Sequence, residues 1–351
     1  MEGTLIFHEA ARYGDAVTVR KMLSTAGGQS LINYQDALGA TPLFIAAHNG
    51  HEFVTEQLIE ARCNINLQTK AGATPLYIAA QNGHASVTAQ LIEARCNVDL
   101  QMKDGRNPLN TAAAHGHAFV SKQLIEARCN LDLEDMDGAT PLCIAAQDGH
   151  ASITRLLIDA RCNIDVQPKN GCTPLYIAAQ NGHDVVTAQL IDARGNIDFQ
   201  DMDGHTPICI AAANGHASVA KQLIQAGCHI DLPQKYGATP LHVAAHAGHA
   251  AVAQLLLAAR CNIDLEGIDG LIALQTAQRA GPAAIATLIR NTKQKGAKDV
   301  LLQASPREDK KETGADWAMR ELWEKEVYKD RVGPWSNEEQ GREYLDVRQG
   351  L

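Results

Sequence analysis

The sequence predicts an all-α solenoid, in which helix-turn-helix units of one design stack along a line and a helical tail follows. Three observations carry this prediction. A block of 33 residues recurs without insertion or deletion, marked by Gly39, Gly72, Gly105, Gly138, Gly171, Gly204, Gly237 and Gly270. Each full copy opens with Thr-Pro or Asn-Pro and later carries Gly-His, as Thr74-Pro75 and Gly83-His84 do. Of the 351 residues, 45% are apolar but only 4% aromatic, which suits thin layers of Ala, Leu and Ile. Two helices of two to three turns are marginal alone in water, so the copies must bury one another's faces.

Each position in the copy has a physical reason. Thr41 supplies a hydroxyl to cap the first helix, and Pro42 takes the first helical position, where its missing N–H costs nothing. Leu43, Ala46 and Ala47 fall on one face, and the alanines allow a neighbouring helix to come close. Gly50 ends that helix, His51 turns the chain, and Val54, Leu58 and Ile59 are the apolar positions of the second helix. Asp104-Gly105, Asp137-Gly138, Asp203-Gly204 and Asp269-Gly270 are tight-turn signals, which place a short β-hairpin at each junction.

A helix-turn-helix of this period opened by Thr-Pro-Leu resembles the ankyrin repeat, over about residues 4–290. The resemblance implies a stacked array whose turn tips and first helices form a concave groove. It also implies a non-enzymatic module for protein–protein recognition, used as a scaffold or adaptor.

Residues 1–35 hold a degenerate opening copy that keeps Ala10-Ala11 and Gly14 but lacks Thr-Pro. Seven full copies occupy 36–266, beginning at 36, 69, 102, 135, 168, 201 and 234. A closing copy at 267–292 replaces Thr-Pro with Ile272-Ala273, as expected where one face meets water. The period then stops. Residues 293–313 read as a charged linker, and 314–351 as a tail with one helical stretch around Met319, Leu322, Trp323 and Val327.

Charge narrows the partners. Residues 1–290 carry 19 Lys and Arg against 27 Asp and Glu, and the whole chain has a net charge of −9. An acidic array is a poor footprint for nucleic acid or anionic lipid, so a protein partner and a monomeric array are expected. No run is long and apolar enough to span a membrane, and Met1-Glu2-Gly3-Thr4 lacks the basic start of a secretory signal. Nine cysteines without close pairing favour a reducing compartment, cytoplasm or nucleus.

Three rows of residues invite chemistry. The Gly-His histidines recur one helix-packing distance apart, about 8–10 Å, too far for neighbours to share a zinc ion. They read as turn histidines bonded to nearby backbone. The row Cys63, Cys96, Cys129, Cys162, Cys228 and Cys261 has the same spacing, which rules out neighbouring disulfides, so these act as small hydrophobes. No phosphate loop, nucleophile elbow or zinc-protease motif occurs, so neither catalysis nor a metal or cofactor is expected.

The third row departs from the family. Arg62, Arg95, Arg128, Arg161, Arg194 and Arg260 stand where a glycine is usual, and only Gly227 keeps it. Acidic residues two positions earlier, such as Glu60 and Glu126, suggest ion pairs between copies. A row of Asn66, Asp99 and their equivalents resembles positions that intracellular hydroxylases modify in some arrays of this family.

Recognition is expected where copies differ. At the turn tips these positions are Lys70, Lys103, Met136, Lys169 and Tyr236; on the first helices they are Tyr77 and Tyr176. Copy 102–134 departs most, with Arg106, Asn110 and His115, and is expected to be both the weakest layer and a contact point. Trp317, Trp323 and Trp335 all lie in the tail and are candidate anchors. They support the alternative of a regulatory or assembly subunit whose tail is the effector and whose array positions it.

Overall fold

In a computed structural model, residues 2–267, 269–280 and 283–304 are described. Contacts divide the chain into two units, 1–293 and 294–351. The first unit is the predicted solenoid. Each full copy contributes a first helix, such as Pro42–Asn49, Pro75–Gln81 and Pro108–Ala114, and a second, such as Glu52–Glu60, Ala85–Glu93 and Ala118–Glu126. First helices pack on first helices of the next copy, and second helices on second.

The caps behave as the sequence requires. Thr41 accepts the Phe44 N–H at 3.1 Å, Thr74 the Tyr77 N–H at 3.0 Å, and Asn107 the Asn110 N–H at 2.8 Å. Leu43, Leu76, Leu109, Leu142 and Leu175 are almost wholly buried, with the paired alanines beside them, and the core runs unbroken through the array.

The opening copy holds a third helix, Ala26–Leu31, that the repeat pattern does not announce. At the other end, helix Ala283–Ala304 continues past residue 292, through a stretch rich in Ala, Leu, Lys and Gln that favours helix.

The β-hairpins expected at the junctions are absent. The described residues contain no strand, and the only isolated bridge among them joins Glu266 and Ile272. At the first junction the chain closes a single turn, with Gly39 N–H donating to the Asp36 carbonyl at 2.9 Å and Asp36 N–H to Ala40 at 3.0 Å. The groups that would extend a hairpin ladder bond instead to the next copy. Lys70 N–H donates to the Leu38 carbonyl at 2.9 Å, and Gln35 Nε2 bridges the Gly39 and Gln68 carbonyls at 2.9 and 2.8 Å. The turns are stitched across the array rather than along themselves.

Two further ladders tie the copies. The Gly-His histidines bond backbone, as expected, but that of the preceding copy: His84 Nε2 donates to the His48 carbonyl and His216 to Gln180, both at 3.0 Å. The imidazole lies so close that a Cβ on Gly182, at φ +74°, would meet His216 Nδ1 at 2.5 Å. The Asn66/Asp99 row accepts N–H groups from the following copy, Asn66 from Asn97 and Asp99 from Asn130, each at 2.9 Å.

The arginine row does adopt the left-handed conformation, with φ between 59° and 66° at all six residues. The ion pairs expected of it do not form. No ion pair among the described residues includes any of these arginines, whose side chains stand in solvent where Coulomb attraction is weak.

Candidate protein-binding surface

The face made by turn tips and first helices carries a pocket of about 580 Å³ spanning copies 69–101, 102–134, 135–167 and the start of 168–200. Five residues singled out from sequence, Tyr77, Arg106, Asn110, His115 and Lys169, come together in its wall. Lys70, Lys103, Met136 and Tyr236 lie outside that wall as exposed tip residues, and Tyr176 is buried elsewhere. Trp317, Trp323 and Trp335 lie outside the described residues.

Copy 102–134 makes the pocket polar. Asn110 replaces the Tyr or Cys of neighbouring copies and is wholly buried. Its Nδ2 donates to the Ala139 carbonyl at 3.4 Å, while its Oδ1 has no partner. Asn107 Nδ2 is likewise buried and unpaired. Other unpaired side-chain atoms recur through the second helices, at Thr55, Thr88, Thr154 and Thr187 for example. Among the described first-helix segments, caps included, only this copy has any.

Thr111 is buried where the neighbours carry isoleucine, and burial pushes the Tyr77 hydroxyl above its ordinary range despite a hydrogen bond with Thr111. His115 stacks on His117, with ring centroids 6.0 Å apart and planes 8° from parallel, and its Nδ1 bonds the Thr111 carbonyl at 2.9 Å.

The pocket also contains three carboxylates that sequence reasoning missed: Asp135, Asp137 and Asp148. Asp135 and Asp137 read as turn formers, and Asp135 is one, accepting the Asp137 and Ala139 N–H groups at 2.9 Å. Asp148 stands where copies 36–68, 69–101, 168–200 and 201–233 have asparagine, and that exchange was the available signal.

No group of three or more potential metal-ligating side chains occurs among the described residues. All nine cysteines are unpaired and eight are buried, and burial pushes the thiols of the repeated row up to about 12. No described helix is long and apolar enough to cross a membrane.

This geometry agrees with comparison to known proteins. The family model "Ankyrin repeats (3 copies)" matches in overlapping windows from residues 7–101 to 220–299. The chain belongs to the ankyrin-repeat family and is a protein–protein interaction scaffold. Among solved structures it is similar to the ankyrin repeat domain of Bcl-3, described as a unique member of the IκB protein family. That match has 21% identity, a TM-score of 0.57, and covers 63% of this chain and all of the other. At this identity the likeness concerns the fold alone. No curated protein matches the sequence.

Proposed function

We propose that this scaffold holds its protein partner on the turn-tip and first-helix face, centred on the pocket of copy 102–134. The observation that carries this is the buried, unpaired Asn110 Oδ1 in the wall of a 580 Å³ pocket where neighbouring copies are filled by Tyr or Cys. The unpaired cysteines support assignment to a reducing compartment, cytoplasm or nucleus.

The test is affinity capture from native lysate with the full chain and its Arg106→Ala/His115→Ala variant as parallel baits. Both residues are exposed, so the variant should melt as the parent does. A protein held by the parent and lost from the variant supports the pocket; equal retention moves recognition elsewhere. A third bait ending at residue 304 separates the tail reading, which predicts loss of the partner with the tail.

A further inference from the structure

We propose that the pocket of copy 102–134 receives an arginine side chain of the partner; this rests on the pocket being the recognition centre. The acceptor comes first. Asn110 Nδ2 faces the Ala139 carbonyl, so exchanging its oxygen and nitrogen would set two acceptors against each other. The orientation is therefore fixed, and the side chain left unpaired is an acceptor calling for an N–H donor.

Charge selects the donor. Asp137 and Asp148 are exposed members of the same wall, and among the described residues neither carboxylate has an ion-pair partner or accepts a hydrogen bond. Of the two cations of the wall, Arg106 lies 3.9 Å from Asp104 and Lys169 Nζ donates to the Met136 carbonyl, and three aspartates outnumber them. An incoming carboxylate or phosphate would meet three aspartates in a chain of net charge −9.

Shape separates arginine from lysine. Ile144 and Ile177 line the pocket with Tyr77, offering apolar surface to a long stem. A guanidinium has five donors in a fixed fork, enough to serve a neutral acceptor and carboxylates together, whereas an ammonium is a compact point charge. Asn110 Oδ1 is closed to solvent in the free protein, so an arginine that reaches it must displace wall side chains.

The test uses the full chain and capped pentapeptides, Ac-Ala-Gly-X-Gly-Ala-NH2, with X as arginine, lysine, norleucine or glutamate. Calorimetric titration is paired with NMR of the asparagine side-chain amides. The arginine peptide should bind at least tenfold more tightly than the others, shift the Asn110 amide resonances and weaken with added salt. Asp137→Asn/Asp148→Asn, at exposed positions, should lose about tenfold without a change in melting temperature. Asn110→Cys, which installs the residue found at Cys143 and Cys209, should lose a similar factor.

Absence of arginine-peptide binding at about 1 mM overturns the inference, as does equal binding of lysine or norleucine. If the glutamate peptide binds and Asn110→Cys abolishes it, the arginine inference falls while the pocket stands. If the arginine peptide binds every variant equally, the inference falls and the pocket loses its support as well.

Discussion

The first helices of copies 69–101 and 102–134 are neighbours of equal length, Pro75–Gln81 and Pro108–Ala114, yet their interiors differ. One is lined by Thr74, Tyr77 and Ile78, with its cap satisfied and no unpaired side-chain atom. The other has Asn107, Asn110 and Thr111, just as deeply buried, with one donor and one acceptor left over. Each unpaired buried polar atom costs about 1–3 kcal/mol. A polar layer in an otherwise apolar stack therefore gives up stability where a partner can later supply the missing bonds.

The comparison breaks most severely if the apolar layer is made polar. Thr74→Asn/Tyr77→Asn should destabilise the array by about 3–5 kcal/mol, combining loss of a buried aromatic with new unpaired groups. Urea unfolding should then split into two transitions, because a solenoid is cooperative only while its interfaces hold. A single, unshifted transition would show that the packing of Tyr77 contributes little.

The reverse exchange is smaller and of opposite sign. Asn107→Thr/Asn110→Cys should stabilise the array by about 1–3 kcal/mol, raise hydrogen-exchange protection across 102–134 and weaken partner binding. Greater stability with full binding would separate the unpaired atoms from recognition.

Alkaline pH compares layers in another way. Burial holds the thiols of Cys63, Cys96, Cys129, Cys162, Cys228 and Cys261 protonated up to about 12, against an ordinary value of 9.0. Between these values the unfolded chain has lost protons that the folded chain keeps, so stability falls as pH rises from about 9 towards 12. Copy 168–200 has Gly195 at this position and lacks that thiol. Among the seven full copies, hydrogen exchange resolved by copy should show its second helix least affected, and uniform loss of protection would assign the alkaline effect to other groups.

The histidine ladder gives a smaller effect. His117 Nε2 donates to the Gln81 carbonyl at 3.0 Å, joining the two layers compared above. His117→Ala should cost about 0.5–1.5 kcal/mol in thermal or urea unfolding. Stability unchanged within about 0.3 kcal/mol would mean that water replaces the bond without loss.

Much of this was legible because each signal acts within one copy. Thr-Pro starts, glycine ends and the apolar face of Leu43, Ala46 and Ala47 are local requirements, and the period multiplies them. What failed depends on where a group finds its partner across copies. Asp-Gly marks the turn whether the flanking backbone pairs with itself or, like Asp104 and Met136, with the neighbouring copy. Glu126 two residues before Arg128 says nothing of whether either charge leaves solvent. At the site, Asn110 and His115 stood out as departures from the repeat, whereas Asp135 and Asp137 hid behind their turn role. Asp148 hid because exchanging asparagine for aspartate leaves the helix end unchanged and alters only the charge of a pocket three other copies help to build.

The smallest effect belongs to the arginine row, and its smallness explains why the row exists. At Arg128 the left-handed φ of 59° costs about 1–2 kcal/mol, which Arg128→Gly relieves. Against this, glycine gives the unfolded chain more freedom, worth about 0.4–1 kcal/mol. Loss of a cation at a helix C-terminus removes about 0.3–1 kcal/mol more. These opposing amounts nearly cancel, so the variant should unfold within about 0.5 kcal/mol of the parent and bind its partner equally well, since Arg128 is not in the pocket wall. In the reciprocal Gly227→Arg the added Cβ meets no atom within 4 Å, but at φ +83° the arginine takes on the left-handed strain that Arg128→Gly relieves, offset by the same two opposing contributions. If Arg128→Gly instead weakens partner binding at unchanged stability, the row is a recognition stripe, and the partner extends beyond the first-helix face to the ends of the second helices.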